Sequence, residues 1–249
     1  MTPRSTFRTP SGSLTSLSKI LLITTASFSM QAISPPFTSL FTRSTPAILR
    51  RPASNYYRLL TSGFLHGSVS HILVNTYSLT QIGPEVESCF NARRFTALYL
   101  SSIVGGNIIS HRATLLGLPG TAPFGLGASG GVCGLLGGYY MFLRLNKRYF
   151  VSPGIDKGLE SLRRTAALNF AGGLMVAGID NYAHAGGAIT GAAYAYFWGP
   201  RLRRDGIGRV VDVPRLDELG GRVRKGLGGE EKGGGLKMKR GPRLPSYIG

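Results

Sequence analysis

Acidic side chains are scarce in this chain. It carries 11 of them against 29 lysines and arginines, a formal net charge of +18 over 249 residues. None occurs before Glu85, and only Glu85, Glu87, Asp156, Glu160 and Asp180 precede residue 200. A basic excess of this size points to nucleic acid or to a membrane with basic loops. Its distribution decides between them. Charge is nearly absent from several long windows and crowds between them, which is the habit of a polytopic membrane protein. No nucleic-acid reading motif accompanies the charge, so no nucleic-acid partner is expected. Cysteine is also rare. Cys89 and Cys133 fit no metal-ligand spacing and imply no disulfide framework. The four histidines show no HExxH pattern, so no metal is expected, and no lysine completes a phosphate loop among the glycines. No other cofactor is expected either.

Long leucine-rich runs are missing too. Six apolar windows are present instead, at 19–33, 64–82, 95–109, 124–143, 165–179 and 183–199. None is the uniform stretch of about 20 apolar residues that a lipid-facing span usually shows. Several carry small residues four apart, a spacing that lets helix backbones approach closely in a bilayer. The expectation is an all-α polytopic membrane protein, a compact bundle of six transmembrane helices at 19–199. The polar ends dilute the mean hydropathy to +0.07.

Loop charges agree with an even number of spans. The N-terminus, the second and fourth loops and the C-terminus carry Arg93, Arg94, Arg144, Lys147, Arg148, Lys157, Arg163, Arg164 and the basic ends. The other side holds Arg43, Arg50, Arg51, Arg58 and Arg112. This asymmetry follows the positive-inside rule. Residues 1–18 are basic and rich in Ser and Thr, the composition of an organellar transit segment, though a plain polar tail has it too. Residues 200–249 are Gly-rich with few apolar side chains, and disorder is expected there. The tail's basic clusters could touch anionic lipid headgroups, or form a solvated tail beside the membrane boundary.

Polar side chains within such windows need a reason. The second window holds His66, His71 and Asn75, the fourth Ser129, the sixth His184 followed by Gly187 and Gly191. His71 and Asn75 are one helical turn apart and share a face. Two His-bearing helices, a glycine-flanked serine and an asparagine make a constellation for nucleophilic attack with oxyanion stabilisation. The breakers in "GLPGTAPFGLG" predict a helix beginning near Ser129, whose first amides lack intrahelical partners. Gly127 and Gly130 clear side chains from the place where a substrate backbone must approach.

Gly127-Ala128-Ser129-Gly130, His71-Ile-Leu-Val-Asn75 and "NYAHAGGAITG" lie in three separate windows. Together they resemble the rhomboid intramembrane serine proteases, in motif and in order. Within that family the chain is most similar to the plastid rhomboid-like proteins, through "NTYSLTQIGPEVES", "RRFTALYLSS" and "GIDNYAHAGG". The resemblance covers roughly residues 19–199. It implies Ser129 as nucleophile, His184 as general base, and His71 and Asn75 as oxyanion partners. It implies that Gly127 and Gly130 shape the substrate loop, and that Gly187 and Gly191 pack the sixth span against the fourth. It also implies structural roles for Arg58 and Glu87, transmembrane helices as substrates, membrane lipids as surroundings, and a plastid inner-envelope or mitochondrial membrane as location. Asp180 is expected to cap the sixth helix rather than complete a triad. Cys133 stands where the family usually has an aromatic against the catalytic imidazole. The alternative function is a catalytically weak or inactive scaffold that binds transmembrane helices.

Overall fold

The computed structural model describes residues 14–149, 154–175, 178–204, 206 and 210–212. Residues 1–13, most of the expected N-terminal segment, lie outside them, as does the tail after 212. Helix α1, Ser16–Ile33, opens on Thr15, whose side chain accepts from Ser18 N at 3.1 Å. Glu87 completes the start of the helix by accepting from Ser16 N and Leu17 N at 2.8 and 3.2 Å. A carboxylate on the free amides of a helix N-terminus satisfies donors and offsets the dipole. That is the structural task implied for Glu87.

Short elements follow: α2 (Pro35–Phe41), β1 (Arg43–Ser44), α3 (Thr45–Arg50) and α4 (Arg58–Thr61). Arg58 binds this loop together by donating to the carbonyls of Ser39 and Thr42 at 2.6 and 3.0 Å. The second and third windows run together as α5, Val69–Leu115. It is two helices in effect, because Asn91 takes φ 63° and ψ 164° between them. Asparagine tolerates positive φ, and its Oδ1 accepts from Arg93 N and Arg94 N, capping the second half. Strand β2 (Phe124–Gly125) pairs antiparallel with β1, and α6 (Ser129–Asn146), α7 (Gly154–Met175) and α8 (Asn181–Phe197) complete the bundle.

Each expected window therefore has a helical segment. Among the described residues, no helix is long and apolar enough to cross a membrane. Several of the glycines that lower hydropathy here, among them Gly106, Gly134, Gly187 and Gly191, meet other helices. The core gathers Val86, Cys89 and Phe90 from the first half of α5, Phe95, Leu98 and Tyr99 from the second, and Leu135 and Phe142 from α6. Phe90 and Phe142 meet with ring centroids 5.6 Å apart.

The tail departs from expectation at its start. Leu202–Arg204 (β3) and Val210–Asp212 (β4) form an antiparallel hairpin rather than disordered chain. Buried Asn146 at the end of α6 pins it, donating to Pro200 O at 3.1 Å and accepting from Leu202 N at 2.8 Å. Asp212 closes it by pairing with Arg94 and accepting from Arg201 N at 2.9 Å. Few apolar residues suffice because polar anchoring replaces a core.

Candidate active site

Ser129 is the first residue of α6, as the helix breakers before it predict. Gly127, just upstream, donates its N–H to Ser62 O at 3.0 Å and holds φ 131°. That backbone region is strained for any residue with a Cβ. Space excludes a side chain there as well. A Cβ on Gly127 would lie 2.8 and 2.9 Å from Cε1 and Nε2 of His71 and 3.8 Å from Ser129 Oγ. The His71 ring and the Ser129 hydroxyl thus flank the same vacant point, across the loop that leads into α6.

His71 begins the first half of α5. Ser68 caps that helix, its Oγ accepting from His71 N at 3.1 Å. The His66 ring packs edge-on to it at 5.0 Å. His66 itself is buried in the first loop, where its backbone N–H and carbonyl are both bonded to Gln31. Asn75 is buried one turn beyond His71, and its Nδ2 donates to His71 O at 3.0 Å. Its amide is turned onto its own helix.

His184 lies in the first turn of α8. A Cβ on Gly187 would overlap the carbonyl of Gly130, and one on Gly191 would overlap that of Gly134. Both contacts are backbone against backbone, so α8 lies directly on the first turns of α6. Gly130 faces Ala183 O, which a Cβ would meet at 3.5 Å. These contacts bring the half-buried ring of His184 to the end of α6 that begins with Ser129. Among the described residues, no hydrogen bond joins the two side chains, and His184 Nδ1 has no partner. Catalytic hydrogen bonds are often open in a substrate-free enzyme and tighten on binding.

Asp180 caps α8, its Oδ1 accepting from Ala183 N at 2.9 Å. Its other oxygen accepts from Ser110 Oγ and pairs with Arg43 Nη2 at 3.3 Å. Among the described residues no hydrogen bond joins this carboxylate to the imidazole of His184. Arg43 is wholly buried and also donates to Ala122 O at 3.1 Å. It ties the first loop to the strand before Ser129 and to the start of α8. In the sequence, Arg43 reads only as a loop charge. Its one signal was the matching presence of Asp180, an isolated acid in a basic chain.

Cys133, one turn after Ser129, shares a cavity of about 460 Å³ with His184. Leu136 and Tyr140 of α6, Phe170 of α7 and Ala188 of α8 complete much of its wall. The missing aromatic side chain leaves room beside the imidazole. No cluster of His, Cys, Asp or Glu that could hold a metal occurs among the described residues.

A family model described as Rhomboid domain matches residues 53–201. RHOMBOID-like protein 4 of Arabidopsis thaliana is 37% identical over 135 residues, 54% of this chain and 32% of that protein. RHOMBOID-like protein 6, mitochondrial, of the same plant is 33% identical over 135 residues, 54% of this chain and 41% of that protein. Rhomboid protease GluP of Bacillus subtilis is 31% identical over 137 residues, 55% of this chain and 25% of that protein. The aligned stretch thus covers between a quarter and two fifths of the length of these relatives.

Proposed function

The chain belongs to the rhomboid family, and from that premise we propose that it is an intramembrane serine endopeptidase acting through Ser129 and His184. Family membership makes it a membrane protein, either an intramembrane protease or a rhomboid-like scaffold. The six helical segments are read as six spans. The observation that supports the catalytic reading is that the Ser129 hydroxyl and the His71 ring flank the same point beside Gly127, with α8 packed on Gly130. Ser129 Oγ attacks the scissile carbonyl while His184 takes its proton. The first amides of α6, with His71 and the second N–H of the Asn75 amide, receive the negative oxygen. His184 returns the proton to the leaving amine as the C–N bond breaks, and water then hydrolyses the acyl-enzyme.

Substrates are transmembrane helices able to unwind at a small-residue segment, since the site lies within the bundle. An organellar membrane is proposed as location, the plastid inner envelope first and a mitochondrial membrane second. The relative named as mitochondrial supports an organelle. The scaffold reading is favoured by one observation, the absence of a Ser129–His184 hydrogen bond. Reconstitution with a model transmembrane substrate separates the two. Wild type is expected to cleave it and Ser129→Ala to leave it intact. A wild type that binds the substrate without cutting it is a scaffold.

Cys133 provides a second test. Phenylalanine at 133 would occupy part of the cavity and stack against His184, restraining a ring whose Nδ1 is unheld. Cys133→Phe is expected to keep or raise kcat/KM on the same substrate. Complete loss would mean that the site is built around the smaller side chain.

A further inference from the structure

Ser129 and His184 belong to different helices, and the glycine contacts between α6 and α8 set how near those helices lie. They do not set how the loop before Ser129 is turned against the first turn of α8. One side chain touches both. Arg43 Nη2 donates to Ala122 O at 3.1 Å, in the loop before Ser129, and to Asp180 Oδ2 at 3.3 Å, at the start of α8. Its Nη1 donates to Thr45 Oγ1 at 3.3 Å, which orients the fork from within the first loop.

The approach to the loop is close. Arg43 and Gly125 are register partners in β1 and β2. A Cβ on Gly125 would lie 2.6 Å from Nη2 and 2.8 Å from Nε of Arg43. The guanidinium thus fills the space that a side chain at 125 would need, four residues before Ser129. Asp180 is tied as firmly to α8. Its Oδ1 accepts from Ala183 N at 2.9 Å, and its backbone carbonyl accepts from His184 N at 3.1 Å. Ser110 Oγ, late in α5, donates to Oδ2. Stability alone is a poor account of the pair. A guanidinium taken out of water gives little net stability over an apolar side chain of similar volume, even when it is paired. What a planar fork does give is fixed angles to the acceptors it joins. Arg43 exposes no surface, so it does not touch substrate.

We propose that Arg43, through Asp180, is a positioning residue for the reaction at Ser129, an assignment that rests on the catalytic reading above. Its fork locks the loop before Ser129 to the first turn of α8, so that the His184 imidazole meets the hydroxyl at the angle proton transfer needs. Without the fork, loop and helix settle independently. A displacement of about 1 Å in such a site costs up to about a hundredfold in rate.

The test separates positioning from stability, using the full chain in detergent and a model transmembrane substrate, with kcat taken per fluorophosphonate-reactive site. Arg43→Met leaves the Asp180 carboxylate without its cation. It is expected to lower the melting temperature by about 3 °C or more and kcat by about tenfold or more. Arg43→Met with Asp180→Asn removes both charges, while asparagine keeps the cap on Ala183 N. This double variant is expected to recover most of the melting temperature and to stay about tenfold or more below wild type in kcat, with KM within about twofold. Arg43→Lys keeps a charge beside Asp180 without the planar fork. It is expected to hold the melting temperature while kcat still falls. Arg50→Gln, exposed in the same loop, is expected to match wild type. Wild-type kcat in the double variant or in Arg43→Lys would make the pair merely structural and overturn the proposal, as would a loss confined to KM. A wild type that neither cleaves nor reacts with a fluorophosphonate would remove the reaction itself, and the proposal with it. A reactive wild type keeps the catalytic reading whichever way the double variant falls.

Discussion

His184→Ala is expected to lower cleavage of a transmembrane substrate by about a thousandfold or more while the protein stays folded. A positioned general base contributes about 10²–10⁴ in rate, and a nucleophile and base that act as a unit lose most of their effect together. The structure says why stability should hold. The ring makes no hydrogen bond among the described residues, so its removal orphans no partner. The backbone bond from His184 N to Asp180 O at 3.1 Å survives the change. Alanine is a better helix former than histidine. An unchanged thermal unfolding curve beside lost cleavage is thus the expected pair of results. Retained cleavage would remove His184 from the chemistry.

Gly191→Val is expected to cost about 3 kcal/mol or more of stability and to abolish activity with it. A Cβ at 191 would run into the carbonyl oxygen, carbonyl carbon and Cα of Gly134. These are backbone atoms of a helix and cannot rotate aside. Helix α8 would have to lift off α6, carrying His184 away from the Ser129 end. Gly158→Ala on α7 is the control. Nothing lies within 4 Å of a Cβ there, so the change should not destabilise and should add up to about 1 kcal/mol through helix propensity. Thermal unfolding of the two variants in one detergent measures the difference. Equal melting temperatures would mean that the close approach of α6 and α8 is not required.

Much of this arrangement was legible in the sequence because it is encoded locally. The start of α6 at Ser129 follows from the breakers before it. The Asp180 cap follows from an acid placed immediately before an apolar helix. The spacing of Gly187 and Gly191 signals close packing, though not the Gly130 and Gly134 carbonyls that they meet. Other features depend on distant partners. Glu87 reaches the amides of Ser16 and Leu17 across some seventy residues. Arg43 is buried only because Asp180 and Ala122 receive it. The paired strands Leu202–Arg204 and Val210–Asp212 have too few apolar residues to announce themselves, and their anchor, Asn146, lies in a helix. Asn75 shares a helix face with His71, as its spacing requires, but its amide is bonded to the backbone of its own helix.

The central claim is that Ser129 is a nucleophile activated within the bundle. A fluorophosphonate probe tests it most directly, because the probe forms a covalent bond only with an activated hydroxyl. The reconstituted wild-type protein is expected to gain one adduct, mapped by mass spectrometry to Ser129, and Ser129→Ala is expected to gain none. An adduct of equal yield on Ser129→Ala, or substrate cleavage that persists in that variant, would contradict the account.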